Sequence, residues 1–437
     1  MDRWSSRAGF ILATMGSAIG LGSVWKFPYE AGANGGGAFV LAYLAGLALI
    51  VVPLLLAELA IGRAGRSDAI GAMAQLARQF ARSPWWRIFA FIGVIAGFLI
   101  LSFYAVIGGW ALSYAFDALR LLPMPLNASA AQAAFADFLH SPWRMLAFQS
   151  LFMAATAFVV AMGIESGIEA ASRLLMPVLL VLVSALAVYA LATGDAWAAL
   201  RFLFEVDPAR FKPGAWLDAV GLGFFSIGVG LGAMITYAAY AGDDIHLGKV
   251  ALITVAGDTL VSILAGLAIF PIVFQFGLDP ASGPGLMFVT LPLAFAKMPA
   301  GPFIAIVFYA LLFVSALVSA ISLLELSVAP LIRMGFNRRH ASLAAAGSCT
   351  LLGVPTILSF NLFPQSRFFE RIDLLTSDFM LPLAGFGISI FAGWILPRQW
   401  LAEELGLRHS VANYLSFLLR YAVPTLIMAV VVAGWLD

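Results

Sequence analysis

Long runs of apolar residues without charged side chains dominate this chain of 437 residues. Membrane hydrocarbon offers no hydrogen bonds to peptide groups, so an apolar stretch of about 20 residues must form a membrane helix or part of a closed barrel. The runs here are too long and too continuous for barrel strands. The sequence therefore predicts an all-α polytopic membrane protein. A charged fraction of only 11% excludes a water-soluble enzyme.

The gaps between charged residues predict eleven transmembrane helices in one membrane domain over residues 1–437. The predicted spans lie near residues 8–33, 37–62, 87–119, 145–163, 171–193, 214–240, 247–275, 300–333, 339–358, 371–397 and 410–436. The apolar piece 280–296 contains three prolines, which remove backbone donors, and is predicted to be a capping loop or hairpin.

Lysine and arginine are distributed unequally between the two sides of this predicted bundle. With the N-terminus inside, 14 lie on the cytoplasmic side and 9 on the opposite side, which is the bias that cytoplasmic loops show. The chain has 24 basic and 23 acidic residues, so its net charge of +1 indicates no polyanionic partner such as nucleic acid.

Two glycine clusters interrupt predicted spans that are five helices apart. The first span contains GSAIGLG at residues 16–22, and the sixth contains SIGVGLG at residues 226–232. A repeat of five helices returns inverted in the bilayer because five is odd. Close helix packing would explain either cluster alone. Paired interruptions in two halves instead indicate the binding site of a secondary transporter.

Three of the carboxylates inside predicted spans, Glu58, Asp258 and Glu325, need an explanation, because a charge there costs about 2.5–3.5 kcal/mol. Glu58 has the alternative of an interfacial pair with Arg63. Glu325 follows three serines on one helical stripe, at 315, 319 and 322, whose hydroxyls have the alternative of bonding to carbonyls of their own helix. Asp258 has no basic residue nearby in the sequence and shares a helical face with Ser262. A functional role is therefore favoured for Asp258.

Several blocks resemble those of the neurotransmitter:sodium symporter family, particularly its bacterial amino-acid transporters. The blocks are WSSRAGFIL at 4–12, GLGSVWKFPY at 20–29, NGGGAF at 34–39, ELAIGR at 58–63, FFS at 224–226, ITY at 235–237 and SAISLLE at 319–325. The resemblance runs from Trp4 to about Tyr421. The combination of WKFP with NGGGAF is highly specific for this family.

The resemblance implies two inverted five-helix repeats, over about 8–193 and 214–397, followed by an extra helix over 410–436. Broken helices 1 and 6 would meet at the membrane midplane, with helices 3 and 8 around them. It also implies a multi-pass protein of the bacterial cytoplasmic (inner) membrane with the N-terminus inside. We expect the lipid bilayer and a small neutral amino acid as its partners, and a monomer or weak dimer.

The resemblance places an amino-acid substrate between the broken helices. Its carboxylate would bind freed N–H groups at Gly20, Leu21 and Gly22, at the positive end of a half-helix, and the hydroxyl of Tyr104. Monoamine-specific relatives carry Asp at the position of Gly20, so the substrate is expected to bring its own carboxylate. The predicted substrate-binding residues are Ala18, Gly20, Leu21, Gly22, Ile100, Tyr104, Phe225, Ser226, Gly228, Leu231, Ser319 and Leu323. This mostly apolar lining implies a hydrophobic side chain.

The resemblance also implies two sodium sites, each with one unusual residue. The first would use Ala18, Ser23, Ser226 and Asp258, with Ser23 in place of the usual Asn. The second would use Gly16, Ile19, Ser315 and Ser319, while Val318 replaces an expected hydroxyl.

Two interpretations of these departures remain open. Asp258 restores the first site with a full charge, or coupling to sodium is weakened and Asp258 carries a proton. We expect one or two Na⁺ ions. A chloride requirement is not expected, because a carboxylate already occupies that region and Leu222 replaces a glutamine of chloride-dependent relatives.

Gates follow from the same resemblance. Lys26 with Asp373 matches the outer gate, and Phe225 would close over the substrate. At the inner gate, Arg333 occupies a position that is usually Asp, which suggests a sign-swapped pair of Arg333 with Asp2.

The sequence thus predicts a secondary active transporter, not an enzyme, that imports a neutral hydrophobic amino acid by alternating access and is coupled to Na⁺. A proton-coupled or sodium-independent transporter, or a non-transporting amino-acid sensor of the same fold, is the alternative. The residues do not identify which amino acid is bound.

Overall fold

The computed structural model describes residues 3–121, 128–207, 212, 214–281 and 285–433. Within these ranges every regular element is a helix, as the long uncharged runs predict. The helices are α1 (Arg7–Ala18), α2 (Gly22–Ala33), α3 (Gly37–Gly65), α4 (Ala69–Gln79), α5 (Pro84–Ala118), α6 (Ala128–Leu139), α7 (Pro142–Ala161), α8 (Ile164–Thr193), α9 (Ala196–Phe204), α10 (Ala215–Ile227), α11 (Ala233–Ala239), α12 (Leu247–Gln275), α13 (Leu286–Phe295), α14 (Gly301–Arg333), α15 (Arg338–Ser359), α16 (Pro364–Ile395), α17 (Arg398–Leu405) and α18 (His409–Val432).

Nine of these described helices are long and apolar enough to cross a membrane: α3, α5, α7, α8, α12, α14, α15, α16 and α18. The bent pair α1 and α2 makes a tenth candidate. Helices α10 and α11 together occupy the predicted sixth span, but neither is long enough to cross alone. The all-helical membrane fold is confirmed, whereas the count of eleven spans stays a prediction.

Both glycine clusters interrupt helices where the sequence predicts it. Helices α1 and α2 meet at an angle of 49°, and the break begins at Ile19, whose φ of −82° and ψ of 92° are not helical. Helices α10 and α11 are separated by residues 228–232, in which Gly228, Gly230 and Gly232 have φ of 71°, 90° and 82°. Glycine adopts such left-handed angles without the steric cost that a Cβ brings.

The broken helices lie at the centre of the bundle. Helix α1 packs against α8, α12 and α14, and α11 packs against α3, while α14 runs along α5. This arrangement surrounds the two breaks with other helices. Irregular backbone at membrane depth is tolerated only where protein or a cavity surrounds it, so the packing explains how the breaks persist.

The segment 280–296, predicted to be a capping loop or hairpin, contains the short helix α13 in its described part. The helix forms despite Pro292, which lies where a π-helical turn over Leu286–Thr290 passes into an α-helical turn over Leu291–Phe295. Phe288 of α13 packs among the rings of Trp25, Trp110 and Tyr114. Helix α13 therefore covers one end of the bundle, which we call the Lys26 end.

The opposite end of the bundle, the Arg333 end, is closed by α4 and α17. Asp68 caps α4 by accepting hydrogen bonds from the backbone N–H groups of Ile70 and Gly71. Arg63 of α3 pairs with Glu404 of α17 at 2.5 Å.

Candidate functional site

A cavity lies where the two helix breaks meet α5 and α14. It is lined by Ser17, Gly20, Leu21, Gly22, Ile100, Tyr104, Phe225, Ser226, Gly228, Leu231, Ala233, Ser319, Ser322, Leu323 and Leu381. This set includes every predicted substrate-binding residue except Ala18, which is buried at the end of α1. Four lining residues have no counterpart among the predictions: Ser17, Ala233, Ser322 and Leu381.

One part of the cavity wall is made of backbone and a tyrosine hydroxyl. The hydroxyl of Tyr104 accepts a hydrogen bond from the N–H of Leu21 at 3.0 Å, so its own proton stays available for an acceptor. A Cβ at Gly20 would lie 2.8 Å from Tyr104 Oη and 2.9 Å from Ser319 Oγ. A Cβ at Gly22 would lie 2.8 Å from the Cα of Ser226. Glycine therefore lets the unwound backbone approach both neighbours.

The opposite part of the wall is apolar. Ile100, Leu231, Leu323 and Leu381 contribute hydrocarbon side chains, and each lines the cavity. Gly228 adds no side chain, and a Cβ there would meet Leu231 at 3.5 Å. The cavity thus combines donors at one end with hydrocarbon at the other, as a pocket for an amino acid requires.

Asp258 of α12 forms the centre of a buried hydroxyl cluster. Its carboxylate accepts hydrogen bonds from Ser23 Oγ at 2.5 Å, Tyr43 Oη at 2.7 Å and Ser226 Oγ at 2.8 Å. Asp258 is fully buried, and no basic side chain of the described residues forms a salt bridge with it. One helical turn further along, the hydroxyl of Ser262 is buried without a hydrogen-bond partner.

This cluster brings together three of the residues predicted for the first sodium site: Ser23, Ser226 and Asp258. Ser23 and Ser226 also lie within 3.0 Å of each other through their hydroxyl oxygens. Tyr43 belongs to the cluster as well, although the sequence gives no signal for it beyond a tyrosine in an apolar span. The oxygen atoms here are the hard ligands that alkali cations prefer.

The predicted second sodium site lies at the end of α1 against α14. The last carbonyls of a helix have no intrahelical partner, which leaves those before the break at Ile19 available. A γ-methyl of Val318 lies against Gly16, since a Cβ added at Gly16 would collide with it. The family resemblance predicts a hydroxyl at position 318. The hydroxyl of Ser315 is buried and has no hydrogen-bond partner. The hydroxyl of Ser319 reaches the Ser17 carbonyl at 3.4 Å.

The Lys26 end differs from the predicted gate. Lys26 and Asp373 do not form a salt bridge within 4 Å, and Asp373 instead accepts a hydrogen bond from Ser377 at 2.7 Å. The ammonium of Lys26 lies 4.8 Å from the centre of the Phe225 ring. Asp378, which was not predicted, lines a second cavity with Lys26. The wide π-helical turn over Leu374–Met380 turns Asp378 toward this cavity.

At the Arg333 end, Arg333 has a partner that was not predicted. Asp2, the predicted partner of Arg333, lies outside the described residues. Within the described part of the chain, Arg333 pairs with Asp68 at 3.1 Å. The carboxylate that sequence reasoning missed therefore comes from α4, through its N-cap residue.

The two other carboxylates that the sequence analysis singles out, Glu58 and Glu325, also have partners. Glu58 accepts a hydrogen bond from the N–H of Gly230 at 2.5 Å, inside the second helix break, and does not pair with Arg63. Glu325 pairs with Arg338 at 2.7 Å and accepts a hydrogen bond from the Tyr240 hydroxyl at 3.0 Å. Glu58 thus holds the break between α10 and α11, and Glu325 links α14 to α15.

Comparison with known sequences agrees with this geometry. The sequence profile of the sodium:neurotransmitter symporter family matches residues 1–134 and 140–436. An uncharacterized sodium-dependent transporter of Bacillus subtilis is 36% identical, with 98% of this chain and 96% of the relative covered. An uncharacterized sodium-dependent transporter of Methanocaldococcus jannaschii is 31% identical, with 98% of this chain and 89% of the relative covered.

Comparison with solved structures gives the same fold. The crystal structure of MhsT in complex with L-phenylalanine matches with a TM-score of 0.91 and 42% sequence identity. The match covers 98% of this chain and 99% of MhsT.

Proposed function

Because the chain belongs to the sodium:neurotransmitter symporter family, we propose that it imports a neutral hydrophobic amino acid by alternating access, driven by Na⁺. Members of this family are membrane transporters, so the chain is a transporter and not an enzyme. The cavity between the helix breaks carries the proposal, because it joins unwound backbone and the Tyr104 hydroxyl to a hydrocarbon wall.

Substrate polarity follows from the two ends of this cavity. An α-carboxylate fits the end formed by the 20–22 backbone and Tyr104, because the Tyr104 hydroxyl proton is available there and no lysine or arginine is among the described residues that line the cavity. The substrate ammonium would bind carbonyls of the unwound segments. A side chain that fits among Ile100, Leu231 and Leu323 is apolar. The structural neighbour MhsT was solved with L-phenylalanine, which has this chemistry.

Sodium coupling rests on the cluster around Asp258. Three hydroxyls and one carboxylate offer several hard oxygens, and the carboxylate brings the full negative charge that a buried cation needs. Curated relatives are named sodium-dependent transporters. We propose that Na⁺ binds here, with the Ala18 carbonyl completing the set. The same negative charge removes the need for chloride.

A second Na⁺ would bind carbonyls of Gly16, Ile19 and Ser315 with the Ser319 hydroxyl. Val318 cannot contribute, because its methyl groups carry no lone pair. This site is therefore proposed to bind Na⁺ more weakly than the first. Proton coupling through Asp258 is the competing mechanism, since the buried carboxylate has no cationic partner among its contacts.

Gating would involve both ends of the bundle. We propose that Phe225 closes over the substrate beneath Lys26, with Asp378 as the nearby carboxylate, and that Asp68 with Arg333 holds the Arg333 end shut. In the proposed orientation, the Arg333 end faces the cytoplasm of a bacterial cell and the Lys26 end faces outward.

The direct test is uptake of labelled L-phenylalanine into proteoliposomes. Uptake is measured with an inward Na⁺ gradient, with choline replacing Na⁺, and with an imposed proton gradient. We expect stimulation by Na⁺ alone. Stimulation only by the proton gradient would assign the coupling to protons. Binding without counterflow exchange would instead identify a sensor.

Tyr104→Phe gives a matched variant for the carboxylate contact. It removes the hydroxyl that faces the cavity, so we expect the KM for L-phenylalanine to rise about 10-fold, as for a hydrogen bond to a charged group. Tyr309→Phe is the control, because the Tyr309 hydroxyl is buried elsewhere and donates to the Met287 carbonyl at 2.8 Å. An equal change in both variants would contradict the assignment of the carboxylate end.

A further inference from the structure

The hydroxyls of Ser17 and Ser322 form part of the cavity wall, and the proposed transport cycle does not use them. Ser17 of α1 and Ser322 of α14 both line the cavity, and they are 7% and 2% exposed. Ser17 Oγ donates to Ser322 Oγ at 2.8 Å. Ser322 Oγ donates in turn to the carbonyl of Ser319 at 2.8 Å. The two hydroxyls thus form a directed chain that ends on the backbone.

The direction of this chain fixes what the pair can offer a ligand. A serine hydroxyl has one proton and two lone pairs. Both protons are used inside the chain, and the proton of the nearby Ser319 hydroxyl is directed to the Ser17 carbonyl at 3.4 Å. The hydroxyls of Ser17, Ser319 and Ser322 therefore present acceptor lone pairs and no free donor to this part of the cavity.

The serine pair matters because the neighbouring side chains of this region are apolar. The side chains of Leu231, Leu323 and Leu381 that line the same cavity carry no polar atom. A ligand side chain in this space loses its water, so a donor on it needs a protein acceptor and an acceptor on it needs a protein donor. Ser17 and Ser322 satisfy the first kind of side chain and not the second.

We propose that Ser17 and Ser322 select, among large neutral amino acids, those whose aromatic ring carries a hydrogen-bond donor, such as an indole N–H or a phenol O–H. This inference rests on the proposed function, because it assumes that an amino acid occupies the cavity. The purely apolar ring of phenylalanine fits the same space but leaves the lone pairs unused. A ring that carries only an acceptor is disfavoured, because it meets lone pairs.

The test compares ligands of one shape and different hydrogen bonding. Isothermal titration of the purified full-length protein in Na⁺ buffer measures L-tryptophan against 3-benzothienyl-L-alanine, in which sulfur replaces the indole N–H. We expect tryptophan to bind about 3- to 10-fold more tightly, the range of a neutral hydrogen bond. L-Phenylalanine against 4-pyridyl-L-alanine tests the acceptor, and the pyridyl compound should bind more weakly.

Two variants then distinguish a hydrogen bond from a packing effect. Ser17→Ala removes one acceptor, so the ratio between tryptophan and its sulfur analogue should fall toward one. Ser322→Ala frees the proton of Ser17, so the penalty on the pyridyl ring should shrink, which loss of packing alone would not produce. Ser389→Ala is the control, because its buried hydroxyl donates to the Leu419 carbonyl at 2.7 Å, away from the cavity.

The outcomes separate this inference from the proposed function. Equal binding of tryptophan and its sulfur analogue to the unmodified protein would overturn the inference and leave amino-acid transport standing. The ligand comparison needs no variant, so a folding defect in Ser17→Ala would not remove the test. Failure of all four amino acids to bind in Na⁺ would overturn the proposed function itself, and the inference with it.

Discussion

Replacing Asp258 by asparagine tests the charge at the first sodium site with almost no change in size. The carboxylate is buried and accepts three hydroxyl hydrogen bonds, from Ser23, Tyr43 and Ser226. Two unit charges 4 Å apart attract by about 4 kcal/mol at an effective dielectric constant of about 20. Loss of that attraction corresponds to nearly three powers of ten in a dissociation constant, since about 1.4 kcal/mol is tenfold.

The observed loss should be smaller than this limit, because the amide oxygen still accepts and the hydroxyls can turn toward the ion. We therefore expect the Na⁺ concentration for half-maximal uptake to rise by about 10-fold or more. The missing charge can be replaced by an anion near the hydroxyls of Tyr43, Ser226 and Ser262. Chloride should then stimulate the variant and leave the unmodified protein unaffected.

The assay is L-phenylalanine uptake into proteoliposomes over a series of NaCl concentrations and a matched series of sodium gluconate. Asp195→Asn is the control, because Asp195 is an exposed N-cap at the start of α9 and asparagine caps equally well. An unchanged Na⁺ dependence in Asp258→Asn, with no response to chloride, would refute a sodium-binding carboxylate. Loss of proton-driven uptake would then assign Asp258 to proton coupling.

Three further predictions concern other parts of the transport cycle. Val318→Thr supplies a hydroxyl beside Gly16, so Na⁺ affinity should rise by about 3-fold or more in equilibrium Na⁺ titration; an unchanged affinity would exclude this position from ion binding. Asp68→Asn removes the partner of Arg333 and keeps an N-cap residue, so a cysteine placed at the Arg333 end should be labelled faster while thermal stability changes by less than about 1 kcal/mol. Asp378→Asn should alter the rate of substrate release at the Lys26 end more than Asp373→Asn does, and the reverse order would restore the original gate assignment.

The residues around the helix breaks could be predicted from the sequence because their chemistry is local. Glycines that allow a break, a tyrosine and a buried carboxylate each stand out within one span, and the family motifs fix their register. The pairing of Ser17 with Ser322 could not be predicted in the same way, although Ser322 belongs to the predicted serine stripe. A serine in an apolar helix is ordinary, and only the crossing of α1 with α14 brings the two hydroxyls to one cavity.

The contacts of Asp378 and Asp68 at the two ends were missed for a similar reason. A regular helical pattern does not predict the wide turn over Leu374–Met380. The turn rotates the residues after Asp373 about the helix axis, so that Asp378 lines the cavity with Lys26. The pairing of Arg333 with Asp68 joins residues that are remote in the sequence. An aspartate at position 68 is already explained as the N-cap of α4, so nothing in the sequence indicates that it also pairs with Arg333.

The two helix breaks use glycine for different reasons, and this difference determines which substitutions a second mutation could rescue. An alanine at Gly20 would be excluded by lack of space, because its methyl group would collide with the side chains of Tyr104 and Ser319. A smaller residue at either position would relieve the collision and restore the fold, at the loss of a side chain proposed to bind substrate or Na⁺. An alanine at Gly230 would instead be excluded by the backbone conformation, because a φ of 90° is unfavourable for a residue with a Cβ. Its methyl group would also lie 2.8 Å from the backbone carbonyl oxygen of Leu381. A screen for second mutations that restore folded protein in the membrane should therefore recover partners for the first lesion and none for the second.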